Sequence, residues 1–175
     1  IGNGDINRHY RQRNFFHRNG EIYPTHELGF VAKALGINRG NRMLALTAMT
    51  SKAVGLHEWY EKNRTDRPEL ARQRVAQGDI AGVMIRCANG EMIYMTHDCT
   101  TPHPYNQDFR LQGAKGTWRE LNHAIYIDGE SPKDEWGEGQ WEPDKAWLEK
   151  YRHPLWKAYE KFGYHGGHDG LDYLT

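Results

Sequence analysis

Two short polar segments hold the side chains of this sequence that are best able to do chemistry. The first, residues 23–26, reads Tyr-Pro-Thr-His, and the second runs from His97 to Tyr105. Each combines groups that can move protons or hold a hydroxyl with prolines that restrict the backbone, and a stiff backbone keeps such groups in place. The two segments are therefore the first candidates for a functional site.

His26 is the candidate acid or base of the first segment. Thr25 is predicted to cap a helix over residues 27–35, with Gly36 placed to end it. His26 then lies in the first helical turn, where the helix dipole favours the neutral, proton-accepting imidazole. Two alternatives stay open, namely His26 as a capping or packing residue and Tyr23 as a core aromatic.

The wider pattern predicts an α+β fold that would position both segments. The Arg-rich stretch 7–19 lacks a clean period and is predicted to be a loop. The predicted strands are 43–49, 80–87, 91–96, 109–113, 117–121 and 124–128. The predicted helices are 27–35, 51–63, a short one from residue 67, and 143–162 with an interruption at 153–154. We expect a mostly antiparallel open sheet with helices on one face, leaving the other face for a cofactor, another domain or a second copy.

Composition limits the classes of partner. The 175 residues are 38% apolar, which suffices for one ordinary core, so a single domain is expected. Lys plus Arg and Asp plus Glu both total 23, and this balance argues against nucleic acid as a partner. No apolar run approaches the roughly 20 residues of a membrane span. The first residues, 1–5, resemble neither a start nor a signal peptide, so we expect a soluble chain that begins within a longer protein.

The cysteines and the second polar segment raise the question of a metal. Cys87 and Cys99 are too few for a disulfide scaffold, and both are interpreted as free thiols. His97, Cys99 and His103 include ordinary zinc ligands, but paired Cys-x-x-Cys or His-x-x-x-His units are absent from the segment. We therefore predict no metal site and expect His97 and Asp98 to make hydrogen bonds at the end of the sheet.

Four motifs carry a resemblance to a known family. They are residues 18–29 around Tyr-Pro-Thr-His, residues 35–42, residues 96–105 and Gly-Gly-His-Asp-Gly at 166–170. In this order they are similar to glycoside hydrolase family 109, the NAD-dependent α-N-acetylgalactosaminidases related to Gfo/Idh/MocA-type oxidoreductases. The similarity covers nearly the whole chain but only the C-terminal portion of a family member, without its N-terminal Rossmann domain. Consistently, the sequence lacks Gly-x-Gly-x-x-Gly.

The resemblance implies a redox-assisted glycosidase with NAD as its cofactor. In that family the sugar is transiently oxidised at C3, the glycosidic bond leaves by elimination, and the stereochemistry is retained. Such a route needs a base and fixed hydroxyl donors rather than two opposed carboxylates, and neither polar segment offers a carboxylate pair. The implied partners are a small carbohydrate or glycoconjugate and the Rossmann domain of the same protein. Separately from the resemblance, the open sheet face is a candidate surface for a second copy.

The resemblance also assigns roles to individual residues. It places Tyr23 and His26 at the sugar and the nicotinamide, with His26 as acid or base. The implied substrate-binding residues are Arg11, Tyr23, Pro24, Thr25, His26, Tyr105 and His168. Alternatives remain open at three positions. They are a solvated basic face for Arg11, a cover over the sheet edge for Tyr105, and a turn for His168.

One departure and two other functions complete the expectations. Phe30 stands where the family usually has proline, which alters local packing more than chemistry. An NAD-dependent sugar oxidoreductase of the same superfamily is the second hypothesis, and a non-catalytic carbohydrate-binding or dimerisation module is the third. The compartment is not determined; a bacterial periplasmic or secreted protein would fit the family.

Overall fold

The computed structural model describes residues 9–98 and 100–163, with side chains from residue 12 onward. The chain divides into two compact units, Ile1–Tyr105 and Asn106–Thr175, and each is described by itself. Both polar segments of interest fall in the first unit. Within the described residues, every helix falls short of the length and apolar character that crossing a membrane requires.

The first helix corrects the sequence prediction of a loop. Helix α1 is His9–His17, inside the Arg-rich stretch. Phe15 is buried against Leu56 and Tyr60, and Gln12 Nε2 donates to the Tyr60 hydroxyl at 3.2 Å. A helix without a clear apolar stripe is thus stabilised by a few tertiary contacts, which the sequence pattern alone does not reveal.

Helix α2, Thr25–Ala34, carries the Tyr-Pro-Thr-His segment into the fold. The predicted cap at Thr25 is wrong by one residue, because Pro24 already has helical angles (φ −77°, ψ −12°) and takes the N-cap position without a side-chain cap bond. The end is as predicted: Gly36 has φ +63° and its N–H donates to the Lys33 carbonyl. This left-handed conformation suits glycine and stops the helix.

Three antiparallel strands form the sheet of the first unit, in the order β1–β2–β3. They are β1 Met43–Thr50, β2 Ile80–Cys87 and β3 Met92–Asp98. One face of β2 and β3 is buried against the apolar side of α2, with Ile85 and Ile93 in the same cluster as Val31. The opposite face exposes Met84 and Tyr94, which are cross-strand partners. An open antiparallel sheet with a helix on one face is therefore confirmed.

A single carboxylate joins the next helix to the end of the sheet. Helices α3, Gly55–Asn63, and α4, Glu69–Arg72, follow β1. Asp79, just before β2, accepts the N–H groups of Val54 and Gly55 at 2.9 and 3.0 Å, and the Thr100 hydroxyl donates to it at 2.8 Å. The N-terminus of α3 is thus capped from far along the chain, and the segment after β3 is tied to the same carboxylate.

The second unit contains a four-stranded antiparallel sheet in the order β4–β5–β6–β7. Its elements are β4 Arg110–Gly113, β5 Gly116–Arg119, β6 Ala124–Ile127, β7 Glu142–Pro143, α5 Lys145–Tyr151 and α6 Pro154–Tyr159. The helical break at 153–154 is confirmed, since His153 caps α6 through Nδ1 and Pro154 occupies its first turn. The α+β class holds, with the strands in two open sheets.

Candidate functional site

Tyr23 and His26 form a contacting pair at the start of α2. The Tyr23 hydroxyl lies 3.1 Å from His26 Nε2, and the two ring centroids are 5.1 Å apart. Tyr23 is 39% exposed, so it is not a core aromatic, and His26 is exposed beside it. The pair presents a phenol and an imidazole to solvent, two groups able to exchange a proton and to bind hydroxyls.

The two residues between them form the turn that brings the rings together. Pro24 is half-buried, and its carbonyl accepts the Leu28 N–H at 2.8 Å as the first turn of α2 closes. Thr25 is exposed and is the first helical residue. The proline restricts the backbone at the point where Tyr23 must turn back toward His26, which is the stiffness expected from its sequence.

Behind the pair lies Glu21, a carboxylate that the sequence analysis did not assign to the site. Glu21 Oε1 accepts the Tyr23 main-chain N–H at 2.5 Å and lies 2.6 Å from Nδ1 of His97, at the end of β3. The Glu21 side chain is only 8% exposed. It therefore links the main chain of the Tyr-Pro-Thr-His segment to the end of the sheet.

A second, half-buried carboxyl accompanies Glu21. Glu27, in the first turn of α2, has its pKa raised above the ordinary value by burial, and the Glu21 carboxylate raises it further while His97 acts in the opposite direction. Oε2 of Glu21 and Oε2 of Glu27 are both buried without a hydrogen-bond partner among the described residues. The Tyr-His segment is thus flanked by two interacting carboxyls, although the sequence analysis found no pair.

The sequence contains part of the information needed to identify these two carboxyls. Glu21 and Glu27 flank the Tyr-Pro-Thr-His segment on both sides, and acidic residues so close to a candidate base merit attention. Their burial depends on α2 packing against β3, where His97 is supplied from distant sequence. Only the fold brings these three side chains together.

The segment after β3 is organised by Asp98. Asp98 accepts the Thr101 main-chain N–H at 3.1 Å and also the Thr101 hydroxyl. His103 Nδ1 donates to the Thr101 carbonyl at 2.8 Å and lies 3.6 Å from Asp98. Hydrogen bonding of His97 and Asp98 at the sheet end is therefore confirmed. In the part of the chain that the structure describes, no three His, Cys, Asp or Glu side chains converge as metal ligands.

The structure describes some of the remaining predicted site residues and not others. Tyr105 is 88% exposed, so it does not form a cover over the sheet edge and remains available to a ligand. Arg11 lies in α1, but its side chain is outside the described residues, as are Cys99 and His168. Cys87 is a buried free thiol whose pKa is raised by burial, as the interpretation of free cysteines expects for that residue.

The fold and this geometry define a class of protein. It is an α+β protein with an exposed Tyr-His pair beside the buried carboxylate of Glu21, an arrangement suited to a polar ligand and to proton transfer. Residues 2–175 match the family model described as glycosyl hydrolase 109, C-terminal domain. The chain belongs to this family, and the resemblance found in its motifs is confirmed.

Individual relatives agree with the family. A glycosyl hydrolase family 109 protein of Parabacteroides distasonis is 39% identical over 94% of this chain and 34% of its own length. An alpha-N-acetylgalactosaminidase of Tannerella forsythia is 40% identical over 94% of this chain and 34% of its own length. Another alpha-N-acetylgalactosaminidase, from Shewanella oneidensis, is 33% identical over 93% of this chain and 36% of its own length. The chain spans about a third of the length of these relatives.

Proposed function

We propose that this chain is the substrate-binding part of an NAD-dependent retaining glycosidase that removes terminal α-linked N-acetylgalactosamine. The observation that carries the proposal is the Tyr23–His26 pair, with 3.1 Å between the phenol oxygen and Nε2. Membership in family 109 and the names of the relatives from Tannerella forsythia and Shewanella oneidensis support the reaction class. Their greater length supports a further domain, which we propose to be a Rossmann domain.

The residues present fit one end of NAD and not the other. An exposed phenol and imidazole can contact a nicotinamide ring and a sugar, whereas the sequence contains no glycine motif for a pyrophosphate. In the proposal, Tyr23 contacts the nicotinamide and the proposed Rossmann domain binds the rest. When bound, NAD supplies reversible hydride exchange with the C3 carbon of the sugar.

The chain's own residues would handle the protons. A sugar hydroxyl that donates to the Tyr23 oxygen can pass its proton through the phenol to His26 Nε2, because the two atoms are already within hydrogen-bonding distance. His26 then serves as the base near C3 and C2. Three protons would be released, from the C3 hydroxyl, from C2 and from the water that replaces the leaving group at C1. Three would be delivered, to the leaving alcohol, to C2 and to the C3 oxygen, so the protons balance.

Substrate binding would involve the other exposed groups. Tyr105 offers a ring face and a hydroxyl with 88% of its surface accessible, which suits stacking on sugar C–H bonds. Thr25 is exposed next to His26 and can donate to a ring hydroxyl, while Pro24 holds the turn. Arg11 and His168 stay predictions, since the structure does not describe their side chains.

A second copy is the proposed occupant of the open face of the β1–β2–β3 sheet. This face exposes Met84 at 42% and Tyr94 at 66%, and Met92 beside them is exposed as well. Antiparallel sheets pack face to face through such apolar surfaces. The same observation favours the third hypothesis, a dimerisation module without chemistry, whereas the oxidoreductase hypothesis depends on the same Tyr-His pair.

The test uses the full-length protein, including the region upstream that the relatives possess. Denaturing the purified protein should release NAD, and p-nitrophenyl α-N-acetylgalactosaminide should be hydrolysed without net formation of NADH. NAD with net NADH formation and no hydrolysis would establish the oxidoreductase instead. If the protein releases no NAD and shows no turnover, the non-catalytic binding module is the remaining hypothesis. We also expect the 175-residue chain alone to be inactive, which hydrolysis by that chain without a partner would contradict.

A further inference from the structure

The last two residues of β3, His97 and Asp98, contact the two polar segments separately. His97 pairs with Ala81, which is buried, and Asp98 pairs with Ile80, which is exposed. Successive side chains of a strand point to opposite faces, so His97 and Asp98 reach different neighbours. The end of this one strand is therefore connected to both segments.

His97 is connected to the first segment through Glu21. Its Nδ1 lies 2.6 Å from Oε1 of Glu21, and the same oxygen accepts the main-chain N–H of Tyr23 at 2.5 Å. The side chains of His97 and Glu21 are 16% and 8% exposed, so water competes little for this oxygen. Displacement of the carboxyl would loosen the main chain that presents the Tyr23 phenol to His26.

Asp98 is connected to the second segment through Thr101. One of its oxygens accepts the Thr101 main-chain N–H at 3.1 Å, and the other accepts the Thr101 hydroxyl. The Thr101 carbonyl in turn accepts from Nδ1 of His103 at 2.8 Å. Prolines at 102 and 104 restrict the chain beyond Thr101, so the orientation set there is passed on toward Tyr105.

We propose that His97 and Asp98 are positioning residues with separate effects: His97 holds Tyr23 through Glu21, whereas Asp98 holds the segment that carries Tyr105 through Thr101. This inference rests on the proposed function, in which Tyr23 takes part in proton transfer and Tyr105 binds the sugar. Substitutions at two adjacent residues should therefore change different kinetic constants. A merely structural role would instead lower the folded fraction, and with it the apparent kcat, in both variants.

The first arm of the experiment follows main-chain amide exchange in the full-length protein, by mass spectrometry resolved to single residues. In His97→Leu the Tyr23 amide should exchange about tenfold faster or more, while the Thr101 amide exchanges as in the wild type. Asp98→Ala should give the reverse result. Unchanged exchange in both variants, or faster exchange of both amides in either one, would overturn the separate roles.

The second arm measures kinetics with p-nitrophenyl α-N-acetylgalactosaminide. His97→Leu should lower kcat about 100-fold with little change in KM, because it displaces a proton-transfer group. Asp98→Ala should raise KM about tenfold with little change in kcat, because it displaces a sugar-stacking ring. The same change of kcat and KM in the two variants would overturn the proposal.

Conservative variants identify the atom of His97 that matters. The amide of His97→Asn places a nitrogen or an oxygen about where Nδ1 was, so it should restore most of the kcat that His97→Leu loses. The amide of His97→Gln lies near the Nε2 position instead and should not restore it. This comparison decides the outcome even if His97→Leu fails to fold, and rescue by glutamine without rescue by asparagine would overturn the role of Nδ1.

His57 provides the matched control. Its Nδ1 donates to the Ala71 main-chain carbonyl at 2.9 Å in a half-buried contact between α3 and α4. His57→Leu should leave kcat, KM and the exchange of the Tyr23 and Thr101 amides as in the wild type. A loss of kcat as large as that in His97→Leu would overturn the specific role of His97.

The two arms separate this inference from the proposed function. The expected exchange pattern in a protein without glycosidase activity would refute the function and support the positioning contacts. Glycosidase activity in a protein whose Tyr23 and Thr101 amides are insensitive to both substitutions would refute the positioning roles and support the function.

Discussion

The Tyr23 hydroxyl is 3.1 Å from Nε2 of His26, on a helical start that leaves both side chains exposed. An isolated tyrosine is a weak acid and an isolated imidazole is a moderate base, but in contact they can transfer a proton as a unit. The half-buried Pro24 between them and the buried Glu21 behind them keep this contact in one place. The contact is therefore held by the local fold, as the proposed role of the pair requires.

The first prediction concerns this pair. Tyr23→Phe and His26→Asn should each lower kcat/KM for the aryl glycoside by about 10²- to 10⁴-fold, the range for a positioned acid or base. The kcat/KM of the double variant should be close to that of the less active single variant, because the two groups act together. Steady-state kinetics on the full-length protein provide the measurement. Lys33→Ala, exposed on the same helix, is the control; additive losses in the double variant would argue against a unit.

The second prediction concerns stability against pH. The pKa of Glu27 is raised in the folded state above the ordinary 4.5, so the folded protein holds this proton to higher pH than the unfolded chain does. Stability from this group is fully present below pH 4.5 and is lost as the pH rises through the folded-state value. Glu27→Gln should lack this loss and be more stable than the wild type at neutral pH.

Urea unfolding at a series of pH values checks the Glu27 prediction. Because every other titrating group is shared, the difference between the wild type and Glu27→Gln isolates this one carboxyl. Glu58→Gln removes an exposed carboxyl of α3 and serves as the matched control. A difference between the wild type and Glu27→Gln that stays constant with pH would contradict the prediction.

The third prediction concerns the cap of α3. Asp79→Ala removes the acceptor for the N–H groups of Val54 and Gly55 and the partner of the Thr100 hydroxyl. The loss of a cap and the unpaired buried donors should cost about 2 to 3 kcal/mol in the free energy of unfolding. Asp66→Ala, which removes an exposed partner of Arg64, should change it much less, because exposed ion pairs contribute little to stability. Similar effects of the two variants in urea unfolding would show that the Asp79 cap is not important.

The fourth prediction compares two glycines. A Cβ at Gly78 would lie 2.1 Å from the Ser51 carbonyl oxygen, a main-chain atom that cannot move aside cheaply, so Gly78→Ala should destabilise the fold. Gly29 lies within α2 with nothing within 4 Å of an added Cβ, so Gly29→Ala should stabilise by about 0.5 to 1 kcal/mol. Thermal unfolding should move in opposite directions for the two variants, and shifts of the same sign would refute the comparison.

The fifth prediction tests the open sheet face. Met84→Asp introduces a charge into that face and should convert a dimer into a monomer, as measured by sedimentation equilibrium. Leu46→Asp is the control, because Leu46 pairs with Ile85 and belongs to the other face, although it is also exposed. A wild type that is monomeric at all concentrations would refute the dimer, and so would equal effects of both substitutions.

Much of the fold follows from local pattern. The predicted strands 80–87 and 91–96 are separated only by Ala88-Asn89-Gly90, a sequence typical of a hairpin turn, and Gly90 has the positive φ of +99° that such a turn needs. The helical break at His153-Pro154 follows from the missing N–H of proline. By contrast, α1 has no clear pattern and depends on the burial of Phe15 against Leu56 and Tyr60, which sequence spacing does not reveal.

The sequence by itself determined the motifs, the family and the Tyr-His pair, since residues 23–26 are contiguous and the helical start that joins them is a local property. Only the tertiary structure decided what lies beneath that pair. Glu21, Glu27 and His97 interact because α2 packs its apolar side on the sheet, which removes water from the carboxyls and brings His97 from the end of β3. Burial and long-range charge depend on chain segments distant in sequence, so no local spacing can encode them.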